Sequence, residues 1–163
     1  MKATTQKFVI ALLCLLLYGA QVQAICTNSI VYTSARHGNF NAASTWSPIG
    51  VPTACDTVII KHSLSLPPNL NFGGETTGYI EVRPGASIMG MSQNITLFDG
   101  VTLVNYGTIM INNLVVSGAN TSVVNHATLN VKTNTSIRNQ AEWNQRAMSM
   151  HVYSLPIDSC VVF

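Results

Sequence analysis

Six carboxylates and four histidines are all that this 163-residue chain offers for acid–base or metal chemistry. Glycoside hydrolysis needs two carboxyl groups about 5–10 Å apart across a sugar bond. Asp56 and Asp99 stand far apart in sequence, and no carboxylate pair recurs at a repeat-related spacing. Asp99 precedes Gly100 and reads as a turn residue, while Asp56 reads as a group that caps or orients the first turn. His37, His62, His126 and His151 are scattered, and the cysteines show no C-x-x-C spacing, so neither a metal site nor a cofactor is expected. No catalytic residue is assigned, and the chain is expected not to be an enzyme. Two sets of residues remain. Tyr106, His126 and Gln140 occupy one variable position of an internal repeat and form a candidate ligand face for sugar. Asn94, Asn120 and Asn134 each begin an N-x-S/T sequon, in segments that read as turns, and are candidate glycosylation sites.

These candidates matter only in the right compartment. Lys2 and Lys7, the apolar run 8–20 and the small residues of "VQA" (22–24) have the order of a secretory signal peptide over residues 1–24. The apolar run is shorter than the ~20 residues a bilayer span requires, so no membrane span is expected in the remainder. Removing the first 24 of 163 residues leaves 139, enough for one domain with its own core. It also removes the two lysines that account for the formal net charge of +2. The rest is neutral, and no Lys/Arg cluster suggests a phosphate-tracking surface, so nucleic acid is not an expected partner. In an oxidising compartment Cys26 and Cys55 are expected to pair. Their loop of about 30 residues would contribute about 3 kcal/mol by restricting the unfolded chain. Cys160 is left over, either free or paired with another chain.

The elements that must position these residues are very short. "YIEV" (79–82), "TLV" (102–104), "TIMI" (108–111), "LVV" (114–116), "SVV" (122–124) and "TLNV" (128–131) are apolar runs punctuated by turn residues. Such density does not suit a sandwich of long hairpins. It suits a chain that winds, laying one short strand on each side of a coil. "TLVNYGTI" (102–109) returns as "SVVNHATL" (122–129) and, more loosely, as "SIRNQAEW" (136–143). In a parallel β-helix like residues of successive coils stack at about 4.8 Å. The expected apolar ladders are Leu103, Val123, Ile137 and Ile109, Leu129, Trp143, with Asn105, Asn125, Asn139 as an amide ladder at a corner. On this alignment the second coil lacks one side, and Gly107, Ala127 and Ala141 share a crowded position.

Both ends of a solenoid expose core and strand edges, and need covers. Residues 25–60 read as the N-terminal cap and first strand, with Trp46 over the core end, Pro52 fixing an extended path and Asn41 capping one helical turn. Residues 61–143 read as the coils. Residues 144–163 read as a C-terminal cap or a truncated end, with a helical turn expected across 139–153.

The segment "GNFNAASTWSPIGVPTACDTVIIKHSLSL" (38–66), followed by "IEVRPGASI" (80–88) and "LVNYGTI" (103–109), resembles an opening module of secreted bacterial surface proteins. It is also similar to the domain family named for its eight glycines. Trp46, Pro52, Thr53, Asp56, Val58 and Ile60 carry the more specific part of this likeness, while Phe40 stands where members more often have Trp. The resemblance implies an all-β, right-handed parallel β-helix on the cell surface or outside the cell. It carries no catalytic residues. The expected role is a secreted or cell-surface structural and adhesive module, with polysaccharide or other surface proteins as partners. The alternative is the N-terminal part of a larger polysaccharide-degrading enzyme.

Overall fold

Alternating apolar residues in runs of three or four cannot bury a face by pairing within one hairpin, but they can when each run lies on the same run of the next winding. The computed structural model describes residues 26, 28–74, 78–146 and 150–152. The expected signal peptide (1–24), Cys160 and most of the 144–163 segment lie outside the described residues. The strands are β1 (Val31–Ser34), β2 (Gly38–Asn39), β3 (Trp46–Ser47), β4 (Thr57–Ile60), β5 (Ser63–Ser65), β6 (Asn69–Gly73) and β7 (Tyr79–Val82). They continue as β8 (Ser87–Phe98), β9 (Thr102–Asn105), β10 (Thr108–Ser117), β11 (Ser122–Asn125), β12 (Thr128–Arg138), β13 (Glu142–Gln145) and β14 (Met150–Val152).

The architecture is an all-β parallel solenoid of about four turns. One side is the sheet β13-β11-β9-β7-β4-β1-β3. A second sheet runs β14-β12-β10-β8-β5-β2, and β6 also pairs with β8. The register shifts between Ile111 and Asn113 on both flanks of β10, so the long strands β8, β10 and β12 bend there and supply two sides of each coil. The cross-section therefore has three sides. Every strand pair is parallel except β1 with β3.

Inward positions line up from coil to coil. Val58, Ile80, Leu103, Val123 and Trp143 are in register on the first side. Leu64, Ile88, Ile109 and Leu129 align on the second, and Phe72, Leu97, Val116 and Ile137 on the third. All are buried. Each such side chain contributes about 1.5–3 kcal/mol of apolar transfer.

One rung is polar. Thr135 aligns with Leu114 and Ile95, is fully buried, and its hydroxyl has no hydrogen-bond partner. An unpaired buried hydroxyl costs about 1–3 kcal/mol. Thr135→Val is expected to raise the unfolding free energy by about 1 kcal/mol in a urea titration.

The third repeat falls in a different register from the one expected. Trp143, not Ile137, lies under Val123, and Gln145, not Asn139, lies under Asn125. Ile137 belongs to the third side, beside Val116, and Leu129 has Met150 as its next neighbour in place of Trp143. The second coil consequently lacks nothing, because 134–138 pairs with 113–117. Ala141 is likewise displaced from the Gly107 position, since Glu142 pairs with Ser122. The physical reason is that all three sides alternate inward and outward alike, so a short pattern cannot identify its own side. The helical turn expected over 139–153 is replaced by β13 and β14, which extend the two sheets.

The 25–60 segment both caps and winds. β1 and β2 pair in parallel with β4 and β5 as the first turn. Trp46 is buried against Phe40 and Tyr32, edge to face, and its indole N–H donates to the Phe40 carbonyl at 2.7 Å. The adjacent single turn of 3-10 helix, Ala43–Thr45, has Ala42 at its N-cap position and no side-chain cap, so Asn41 does not cap it. Asn39 instead accepts the Asn41 N–H at 2.8 Å. Cys26 and Cys55 form a disulfide across 29 positions.

Corners differ in length. Between the first and second sides β9 leads to β10 through Tyr106 and Gly107, whereas β7 leads to β8 through the four residues 83–86. That longer corner crowds its neighbour: a Cβ on Gly107 would meet the carbonyls of Ala86 and Arg83, which explains a glycine there and alanine one coil later. Pro84 and Gly85 are exposed, and a Cβ on Gly85 would meet nothing, although its φ of +80° favours glycine.

Candidate functional site

The corner after the first side is built by buried amides. The Asn105 side-chain oxygen accepts the Gly107 N–H at 3.0 Å, which turns the chain. Its amide donates to Asn125 Oδ1 at 2.7 Å and to the Thr128 carbonyl at 2.9 Å. Asn125 repeats the arrangement, donating to the Ala127 carbonyl at 3.0 Å and to Gln145 Oε1 at 3.2 Å. Asn105 and Asn125 are fully buried, so these bonds fix the backbone of the corner without competition from water.

The residue following each rung points outward. Backbone bonds hold these residues in one column: Arg83 N–H to Ile60 O, Tyr106 to Val82, His126 to Asn105 and Arg146 to Asn125, at 2.8–2.9 Å. Lys61, whose N–H donates to Ser34 Oγ at 2.8 Å, begins the same column. The outward strip therefore reads Lys61, Arg83, Tyr106, His126, Arg146. Tyr106 and His126 stack with ring centroids 4.5 Å apart and planes 14° apart. Gln140, expected in this strip, lies at the Arg138–Ala141 corner with a φ of +66°, and Arg146 takes its place. Three of the six Lys/Arg residues beyond position 24 thus share one column, a cluster that winding creates from positions scattered in sequence.

Glu81 flanks the strip. It is 8 % exposed, its Oε1 lies 2.7 Å from Arg83 Nε, and its Oε2 accepts the Tyr79 hydroxyl at 3.2 Å. Burial, then the Glu81 charge and this hydrogen bond, push the Tyr79 phenol above its ordinary value. Arg83 itself remains half exposed.

The other sequence candidates are placed as follows. Asp56 is buried and accepts three donors: Ile30 N–H at 2.9 Å, Thr53 N–H at 2.7 Å and Thr53 Oγ1 at 2.8 Å. It is a clamp between the chain entering β1 and the chain entering β4. Pro52 is buried beside it in sequence, and burial of Trp46 removes it as a platform for sugar. His37 and His62 meet edge to face at 5.4 Å, and Ser34 Oγ lies 3.0 Å from His62 Nδ1, but Ser34 is only 2 % exposed. No group of three or more metal-ligating side chains occurs among the described residues.

Two of the three sequons are not in turns. Asn94 lies in β8 and Asn134 in β12, in register with Asn113 and, for Asn94, with Asn69. Here is a second amide ladder, which sequence reasoning missed because its rungs are unevenly spaced. Asn94 donates to Asn69 Oδ1 at 2.8 Å and accepts from Asn113 at 2.7 Å. A glycan on Asn94 would replace one of its two amide hydrogens and have to fit between the neighbouring rungs Asn69 and Asn113. Asn120 is exposed in a turn with φ +59°. Folded protein secreted by a eukaryotic host is expected to carry N-glycan at Asn120 alone, and Asn120→Gln should abolish the mass increment in intact-protein mass spectrometry.

No family model matches the chain, and no curated protein or solved structure matches it.

Proposed function

We propose that this chain is a non-catalytic structural and adhesive module that acts outside the cell and binds glycans through the Lys61–Arg146 corner. The observation that carries this reading is the outward strip itself: five polar side chains at one coil spacing, with buried Asn105 and Asn125 behind the central Tyr106–His126 stack. Such a row sets hydrogen-bond donors at a fixed backbone spacing, so no loop has to be ordered when an extended chain binds. The carboxylates nearest to a candidate chemical role are otherwise engaged, Asp56 in three hydrogen bonds and Glu81 with Arg83 and Tyr79. The Cys26–Cys55 disulfide supports an oxidising compartment. Kinship with the secreted surface-protein module is part of the proposal, supported by the Trp46 cover and the Asp56 clamp at the motif positions. The test is retention of the protein on an array of immobilised polysaccharides. Retention that falls several-fold in Tyr106→Ala is the expected result, and no retention on any polysaccharide would overturn glycan binding.

A further inference from the structure

The chemistry of the strip says more about its ligand than that it is a sugar. Tyr106 and His126 lie nearly parallel, so each ring covers a face of the other. Tyr106 is exposed and His126 half-buried, and the pair carries a phenol hydroxyl and imidazole nitrogens that can hydrogen-bond. Aromatic edges carry the positive part of the ring quadrupole, and one electron-rich face of each ring is closed against the other ring. Above the pair stand Arg83 and Lys61, and below it stands Arg146, all exposed. No carboxylate occupies the column. Glu81 meets Arg83 from the adjoining outward position, and Glu142 lies on the far edge of the same side, opposite Ser122. Glu81 offsets the Arg83 charge, so the cations of the strip with no carboxylate partner among the described residues are Lys61 at one end and Arg146 at the other, in a chain whose charges beyond residue 24 sum to zero.

We infer that this strip binds linear acidic polysaccharides, with carboxylates and hydroxyls of a uronate chain meeting Lys61, Arg83, the Tyr106–His126 pair and Arg146. The inference rests on the glycan-binding reading and names its ligand class. Five rungs at the strand spacing extend roughly 19 Å. A pyranose unit in an extended chain advances about one rung, and with alternate units turned to opposite sides its carboxylates recur every second rung, the spacing of Lys61, Tyr106 and Arg146 along the column. Each exposed ion pair is weak, about 0.2–1 kcal/mol, and the sum is sensitive to salt. A single-stranded nucleic acid is the less favoured polyanion, because bases stack on open ring faces and one face of each ring here is already taken by the other ring.

Affinity electrophoresis in native gels tests this, with polygalacturonate and its fully methyl-esterified form as the paired probes. Mobility is compared with and without polymer for each protein. Polygalacturonate is expected to retard the protein, and the neutral ester is not. Lys61→Glu/Arg146→Glu should weaken the interaction about tenfold, whereas Lys132→Glu/Arg138→Glu, the same charge change at other corners, should leave it within about twofold. Lys61→Gln/Arg146→Gln, with thermal unfolding midpoints alongside, separates lost binding from lost folding. Equal binding of the ester overturns the acidic ligand and leaves the glycan reading standing. Equal loss in the two double reversals overturns the location. Single-stranded DNA bound as tightly as polygalacturonate overturns the ligand class. Retardation by neither polysaccharide overturns the acidic-ligand inference, and the glycan reading falls too if the array also shows no retention.

Discussion

Trp46→Ala is expected to lower the unfolding free energy by about 3–5 kcal/mol, the largest loss from any single truncation at the N-terminal end. Trp46 is 1 % exposed and is packed between Phe40 and Tyr32. Truncation removes the apolar body, opens a cavity over the first coil and leaves the Phe40 carbonyl without its 2.7 Å donor. Single domains have only about 5–15 kcal/mol in hand, so a loss of this size brings the protein toward half-unfolding under mild heating. Trp46→Phe keeps most of the packing and loses the hydrogen bond, and should cost about 1–2 kcal/mol. Urea titrations followed by far-ultraviolet circular dichroism measure both. A Trp46→Ala protein as stable as the parent would mean that the first coil does not need this cover.

Asn125→Ala is expected to cost about 3 kcal/mol, through the groups it strands. The Asn105 amide loses its 2.7 Å acceptor at a site closed to water, and the partly buried Ala127 carbonyl and Gln145 amide lose their bonds of 3.0 and 3.2 Å to Asn125. The same change should loosen the Tyr106–His126 stack, because Asn125 sets the corner from which His126 projects. Asn139→Gly is the matched control. Asn139 is exposed, has a φ of +57° and bonds to Ser117 Oγ at 2.9 Å, outside the Asn105 ladder. Its replacement should shift stability by no more than about 0.5 kcal/mol. Comparable losses at 125 and 139 would contradict the register in which Gln145 is the third rung.

That register marks how far the fold could be read from residues alone. Asn105 and Asn125 were legible because both rungs are asparagine, twenty positions apart, with apolar and small neighbours in step. The third rung was hidden because glutamine stands there: its longer side chain reaches the same acceptor position with different lettering. Ser136-Ile137-Arg138 looked like a first side because an inward apolar residue between outward polar ones is common to every side of the coil. The Cys26–Cys55 pairing and the parallel winding needed only local rules of compartment and strand length. The outward strip was beyond reach, since Lys61, Arg83 and Arg146 fall into one column only after corners of two and four residues are folded in. The Asn69–Asn94–Asn113 ladder was obscured for the same reason.

The four-residue corner at Arg83–Ala86 has a use that its two-residue counterparts do not. Its exposed Pro84 and Gly85 stand clear of the neighbouring coils, and neither belongs to a ladder. A foreign peptide spliced between them would leave the hydrogen-bonded rungs on either side intact, so the scaffold should tolerate a displayed epitope there while rejecting one at the tight Tyr106–Gly107 bend.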